Sequence, residues 1–456
     1  MVSLDLPYIS NSAVYFEKIR TFDWPIFLDS CYQESLELNP LSRYDIITAS
    51  PIIKILDNNG SVDVIKNGEV EQKNNHPLNV LDEEMAPFKV NKSNFPFVGG
   101  ALGYLSYELN DISSKKNLIP KFMIGIYDWA IVVDHHKKTT SLVSYCHDAS
   151  TKDLIDQLTR IFSNISPVED LSEFHILNRL SSDTSFEEYK HQFQKVQEYL
   201  KAGDCYQVNL SIKYEANTSG DIWKFYKKFR AINQSPFMSF MKFDQFEILS
   251  GSPEQFIHSN GYDVITRPIK GTQSRGVNVK DDENKKNQLI ISKKDQAENL
   301  MIVDLLRNDL GKNCEIGSIE VNKLFEVEQY PNVFHLVSTI KGKLKKNSNN
   351  YQLLKDAYPG GSVTGAPKKR SMEIIDELEN HSRDFYCGSN ILFSFDSSLN
   401  SNIAIRSMVH KDHKLSVYSG GGLTISSNLE DEYNEISDKL GNIKRTINFF
   451  EKKHDY

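Results

Sequence analysis

Short apolar runs rich in β-branched residues alternate with polar turns along residues 1–165. Asp45-Ile46-Ile47-Thr48-Ala49, Val62-Asp63-Val64-Ile65 and Ala130-Ile131-Val132-Val133-Asp134 carry this texture and predict strands. Asn58-Asn59-Gly60 and Lys66-Asn67-Gly68 predict hairpin turns. Residues 109–118 and 165–185 are polar and read as surface connections.

From Ser185 the texture changes. Phe186 to Ala202 reads as an amphipathic helix that closes at Gly203. Strand-like runs follow at Val208-Asn209-Leu210-Ser211, Phe246-Glu247-Ile248-Leu249-Ser250 and Leu415 to Tyr418. Two further helices are predicted, from about Asp295 to Leu310 and from about Leu429 to Phe450. The second carries an apolar stripe of Tyr433, Ile436, Leu440, Ile443 and Ile447. Lys345 to Asn350 reads as a solvated loop, and no internal repeat is evident.

Composition narrows the class. A chain of 456 residues with 39% hydrophobic and 25% charged residues can bury a substantial core, in one large domain or up to three. A net charge of −8 argues against a nucleic-acid footprint, yet a local Arg and Lys cluster can still bind an anionic small molecule. The five cysteines show no paired or metal-type spacing and read as reduced thiols of a cytoplasmic protein. No signal peptide is evident, and no apolar run approaches the roughly 18–20 residues needed to span a bilayer.

Several segments could carry chemistry. Asp295 and Glu298 share a helix face, where acidic residues also simply complement the helix dipole. Glu432, Glu435 and Lys439 each precede a stripe residue and form a row rotated about 100° from it. Two such acidic pairs can hold a hard divalent cation through oxygen ligands, Mg²⁺ first, although a solvated face is the commoner use. Gly360 to Lys368 lacks the ending of a nucleotide-binding phosphate loop but exposes backbone N–H groups suited to an anion, and Gly420-Gly421-Gly422 permits similar close approach. Lys270, between an apolar residue and Gly271, is a surface lysine or, if desolvated beside other cations, a nucleophile.

The same segments, in this order, resemble the chorismate-utilising enzymes, a group that includes anthranilate synthase component I, aminodeoxychorismate synthase component I and the isochorismate and salicylate synthases. The matching stretches are Ala202 to Ser211, Gly251 to Glu254, Arg267 to Thr272, Glu298 to Asp309, His335 to Thr339, Pro359 to Lys368, Asn402 to Arg406 and Gly420 to Lys439. Phe27 to Ser30, Arg43 to Ile46 and Phe97 to Gly103 are similar in the N-terminal part. The resemblance implies a mixed α+β (α/β) fold, a single intertwined domain of two packed, mainly antiparallel sheets with outer helices. Within it, 1–165 would be an N-terminal region and 185–450 the chorismate-binding region.

The resemblance also implies roles. Glu298 and Glu435 would ligate Mg²⁺, with Asp295 and Glu432 reaching it through water. Arg406, helped by Tyr386, would pair with the ring carboxylate of chorismate. The backbone at Gly421 and Gly422, with Lys439, would receive the enolpyruvyl carboxylate or the metal-bound water around it, and Thr364 and Ala366 lie in a substrate loop. Glu254 would be the general acid for the departing 4-hydroxyl, and His335 would sit near the enolpyruvyl group. Gln207 stands where the water-adding members carry a basic Lys, which makes those reactions improbable. Lys270 stands where anthranilate synthases usually have Ala and aminodeoxychorismate synthases have a nucleophilic Lys. Chorismate and ammonia would therefore give 4-amino-4-deoxychorismate, towards p-aminobenzoate and folate. A separate glutamine amidotransferase subunit would supply the ammonia, and a separate lyase would act next. Asp29 and Ser30 fall where family members bind tryptophan. At Asn390-Ile391-Leu392 the chain departs from the family's usual Ile-Gly-Tyr. Two other readings stand beside this one: anthranilate synthase component I, and a non-catalytic tryptophan-binding subunit.

Overall fold

The computed structural model describes residues 1–32, 40–110, 115–163, 165 and 173–451. Two antiparallel sheets dominate, of 13 and 12 strands among the described residues. The first runs from Val2–Leu6 to Phe174–Ile176 and the second from Ile269–Ser274 to Glu69–Lys73. Both draw on both ends of the chain. Ile26–Asp29 pairs with Phe237–Lys242 in the first sheet, and Gly100–Leu105 pairs with Ser389–Ser394 in the second.

The sequence makes strands here because both faces are apolar. In the first sheet Ile47, Phe240, Leu249 and Met408 face one core, while their neighbours Ile46, Met241, Ile248 and Val409 face another. That second core is shared with Leu102, Met123 and Leu392 of the second sheet, so it fills the space between the sheets. The outer faces are covered by helices. Phe16, Leu158, Trp223 and Ile447 pack on the first sheet; Leu81, Ile302 and Leu354 pack on the second. The order is helix, sheet, sheet, helix, and each fully buried large apolar side chain is worth roughly 1.5–3 kcal/mol.

The two predicted hairpin turns are present, with Asn59-Gly60 and Asn67-Gly68 joining paired strands at positive φ. Helix Phe186–Ala202 starts in a reciprocal cap between Ser185 and Glu188 and ends at Gly203, at φ 82°. The stretch 165–185 is more than a connection: Phe174–Ile176 and Ser181–Ser182 are short strands on Gln207–Gly220. In 109–118, Leu109 is buried, and residues 111–114 lie outside the described residues, as do 164 and 166–172.

The single helix expected over 429–450 is two, Leu429–Lys439 and Gly441–Phe450. The Ser419 hydroxyl donates to the Ile436 carbonyl at 2.8 Å, and the Leu440 N–H turns instead to the Ser437 carbonyl at 3.2 Å. Ile436 then packs in one core while Leu440, Ile443 and Ile447 pack in another. Leu440 keeps a right-handed conformation (φ −80°, ψ −4°), so the apolar spacing passes through the break unchanged.

Candidate active site

Strand ends and helix starts converge on a cavity of about 220 Å³. Its walls come from Gln207–Gly220 and Lys414–Leu423, from Ile269–Ser274, from the first two turns of Lys293–Gly311, and from one side of Leu429–Lys439. Of the residues singled out in the sequence, Glu254, Lys270, Asp295, Glu298, Tyr386, Arg406, Gly422, Glu432, Glu435 and Lys439 line it together.

Lys270 is aimed into the cavity by its strand. The register of Ile269–Ser274 against Val333–Lys343 shifts between Ile269 and Thr272, and such a bulge re-aims side chains. Gly271, at φ 87°, allows it, since a Cβ there would lie 3.0 Å from the Asp295 side chain. Burial lowers the Lys270 pKa from the ordinary lysine value, and the Lys439 charge lowers it further. Its amine donates to the Ser362 carbonyl at 3.3 Å. The Ser362 hydroxyl in turn donates to Glu254 Oε1 at 2.8 Å. Glu254 is 4% exposed, and burial pushes its carboxyl up to about 7. One serine thus joins a softened amine to a carboxylic acid that holds its proton near neutrality.

Four carboxylates form the opposite wall. Burial raises the pKa of Glu298, with the charges of Asp295 and Glu432 adding to it, and burial likewise raises Glu432 beside Glu435. Lys294 sits among all four, 3.8 Å from Glu432, and burial is outweighed there so that its pKa rises. Lys439 bonds Glu435 Oε1 at 2.8 Å and the Gly420 carbonyl at 2.9 Å. Although burial opposes it, this lysine takes the Glu435 pKa below the ordinary value. Among the described residues no three carboxylate, imidazole or thiol groups are gathered tightly enough to cage a metal. The donor set nonetheless fits a hard divalent cation: it offers only oxygens, and two of its members are held up by burial and by neighbouring like charge that a cation would relieve.

Arg406 is the cation at the other end. Its guanidinium is partly buried, desolvation lowers its pKa, and among the described residues no carboxylate or carbonyl bonds it. A cation partly withdrawn from water and left unpaired favours the arrival of an anion. Tyr386 stands in the same wall, stacked on Tyr418 with centroids 5.7 Å apart.

His335, Thr364, Ala366, Gln207 and Gly421 sit around the cavity rather than in its lining. His335 lies one hydrogen bond behind, its Nδ1 2.9 Å from the Thr272 hydroxyl; burial, with Arg406 nearby, depresses its pKa to about 3. The Thr364 hydroxyl donates to the Gly360 and Gly361 carbonyls of its own loop, and Ala366 pairs with Gln207. The Gln207 amide is buried behind Gly422 with neither polar atom bonded. Gly421 faces the acidic wall, where a Cβ would lie 3.2 Å from Glu432 Oε2. A Cβ on Gly420 would meet the Leu210 carbonyl at 2.5 Å, and one on Gly422 the Gln207 amide at 2.9 Å.

Asp29 and Ser30 line a second cavity, of about 450 Å³. Asp29 is gripped by Arg230 at 2.6 and 3.0 Å, and the Ser30 hydroxyl bonds Asp45 at 2.7 Å. Asn390, Ile391 and Leu392 line this second cavity too, not the first. The departure from the family pattern therefore falls away from Arg406 and Lys270.

Sequence reasoning missed Ser362, Asn209 and Lys294, all in the cavity wall. Ser362 lay inside a glycine-rich stretch read for its backbone, and single polar residues in a strand or a helix cap carry no spacing signal.

Comparison with known proteins places this geometry. The profile of the chorismate binding enzymes matches residues 43–445. Aminodeoxychorismate synthase component 1 of Escherichia coli K12 is 38% identical over 443 residues, covering 95% of each chain. Anthranilate synthase component 1 of Bacillus subtilis 168 is 31% identical over 442 residues, covering 90% of this chain and 85% of that protein. The crystal structure of anthranilate synthase component I from Streptococcus pneumoniae TIGR4 superposes with a TM-score of 0.78 at 28% identity, covering 90% of this chain and 93% of that one.

Proposed function

The chain belongs to the chorismate-binding enzyme family, and from that premise we propose that it aminates chorismate with ammonia to 4-amino-4-deoxychorismate, with Lys270 as nucleophile. The observation that carries this reading is the Lys270–Ser362–Glu254 chain, a softened amine and a proton-bearing acid in one cavity. The neutral Lys270 amine bonds to ring C2, both ring double bonds shift by one position towards C4, and the C4–O bond breaks as Glu254 gives its proton to the leaving oxygen, releasing water. The alkylated Lys270 returns a proton to the Glu254 carboxylate. Ammonia then attacks C4, both double bonds shift back, and the C2–N bond breaks as Glu254 protonates the departing Lys270 nitrogen. The new ammonium gives up one proton and restores Glu254. The net change exchanges hydroxyl for amine, without oxidation, and keeps the enolpyruvyl ether.

Arg406, with Tyr386 beside it, receives the ring carboxylate, because an unpaired guanidinium matches a carboxylate bidentately. Gly421, Gly422 and Lys439 face the enolpyruvyl carboxylate. Glu298 and Glu435 would hold Mg²⁺, with Asp295 and Glu432 reaching it through water. When bound, Mg²⁺ offsets substrate negative charge at that wall. A glutamine amidotransferase subunit supplies the ammonia. Tryptophan occupies the second cavity beside Asp29 and Ser30.

Purified protein given chorismate, Mg²⁺ and ammonium should yield a product that keeps the enolpyruvyl group by mass spectrometry, and Lys270→Ala should lose it or make it slowly. Anthranilate plus pyruvate, indifferent to Lys270, would transfer the chain to the anthranilate reaction. Magnesium should also raise the melting temperature of the wild type, and Glu298→Gln should abolish that rise.

A further inference from the structure

Behind the cavity, Arg383 and Glu379 form an ion pair closed to solvent, at 1% and 2% exposure. The guanidinium holds Glu379 through Nε at 2.9 Å and Nη2 at 2.6 Å. Its other bonds reach two backbone carbonyls of the cavity wall: Nη1 donates to Val363 at 2.9 Å and Nη2 to Asn209 at 2.7 Å. Glu379 Oε1 accepts from both the Ser211 N–H and hydroxyl at 2.8 Å. The Arg383 carbonyl accepts the Tyr386 N–H at 2.9 Å, fixing the turn that carries Tyr386. A single pair therefore ties together the strand at Asn209–Ser211, the loop at Val363 and the Tyr386 turn.

A buried ion pair is weak evidence for stability, since apolar residues of similar size often serve as well. Apolar residues would not hold these two carbonyls. Val363 adjoins Ser362, whose carbonyl and hydroxyl meet the nucleophile and the acid. We propose that Arg383, held in line by Glu379, is a positioning residue that fixes Ser362 and so sets Lys270 against Glu254. The inference rests on the amination reading above.

Arg383→Lys tests it, because lysine keeps the charge but not the planar fork that spans two carbonyls. The full-length variant is assayed with chorismate, Mg²⁺ and ammonium beside wild type, Glu379→Gln, Ser362→Ala and the Arg383→Lys/Ser362→Ala double variant. If Arg383 acts through Ser362, kcat falls roughly tenfold or more with KM for chorismate changed less than about threefold. Ser362→Ala removes the hydroxyl bond to Glu254 and keeps the carbonyl bond to Lys270, so in that background the same substitution should cost less than it does in wild type. A folded Arg383→Lys with wild-type kcat, or a loss that multiplies in full on top of Ser362→Ala, overturns the proposal. Glu379→Gln replaces Arg383→Lys should the latter not fold, and failure of both to fold assigns the pair to the scaffold alone, which also overturns it. A wild type that makes no aminated product indicts the reaction, not Arg383.

Discussion

Glu254 holds two opposed properties at one carboxyl. In the folded chain burial raises its pKa to about 7, above the usual carboxylate value, so folding takes up a proton between those two pH values. Stability from this group is complete below the unfolded pKa and is lost as pH rises through about 7. Glu254→Gln should therefore lower kcat by roughly 10²–10⁴ while stabilising the fold at pH 8 by at most about 3 kcal/mol. Denaturant melts across pH should show that gain growing from pH 4.5 to 7; a flat difference would remove burial as the cause. Lys270 adds the opposite limb, its lowered pKa giving more free amine as pH rises, so kcat/KM should be bell-shaped. Arg406 follows the same logic with charge reversed. Arg406→Met removes an unpaired, partly buried cation, so the melting temperature should rise, while kcat/KM for chorismate falls roughly hundredfold from loss of charge-assisted bonds. Titration calorimetry with chorismate would separate a binding loss from a rate loss.

At the scale of elements the C-terminal break offers a clean test. Gly441 opens the last helix, and a Cβ there meets nothing within 4 Å. Gly441→Ala should stabilise by about 0.4–1 kcal/mol, read as a shift in denaturant midpoint with activity unchanged. A loss of stability would mean that the break needs a conformation alanine resists. This break was invisible in the sequence, because a right-handed residue leaves the 3,4,3,4 spacing intact while the packing partner changes. By contrast Phe186–Ala202 was legible to the residue, since Ser185, Glu188 and Gly203 mark its ends chemically. The strands were legible as apolar runs, but not their partners: nothing near Phe27 names Phe240, which sits opposite it. In the candidate site, the charged members were legible through helix faces and family motifs. Ser362 was not, because its part depends on two long-range bonds.

For the whole molecule, interleaving decides what can be cut. A fragment spanning 185–450 would keep Phe237–Lys242 and Ser389–Ser394 but lose the strands that flank them, Ile26–Asp29 and Gly100–Leu105. Two apolar edges deep in the fold would open, and such edges aggregate. Expressed alone, that fragment should be insoluble or lack cooperative melting; a soluble fragment with a sharp transition would show that the region folds by itself. The triglycine wall constrains the molecule over a longer time. Positions 420, 421 and 422 present backbone to the cavity, and any side chain there meets a carbonyl, a carboxylate or an amide within 2.5–3.2 Å. Point mutation can thus remodel the wall at Lys270 or Thr272, but cannot easily remodel this one. A lineage built on this scaffold would inherit one fixed cradle and diversify its chemistry from across the pocket.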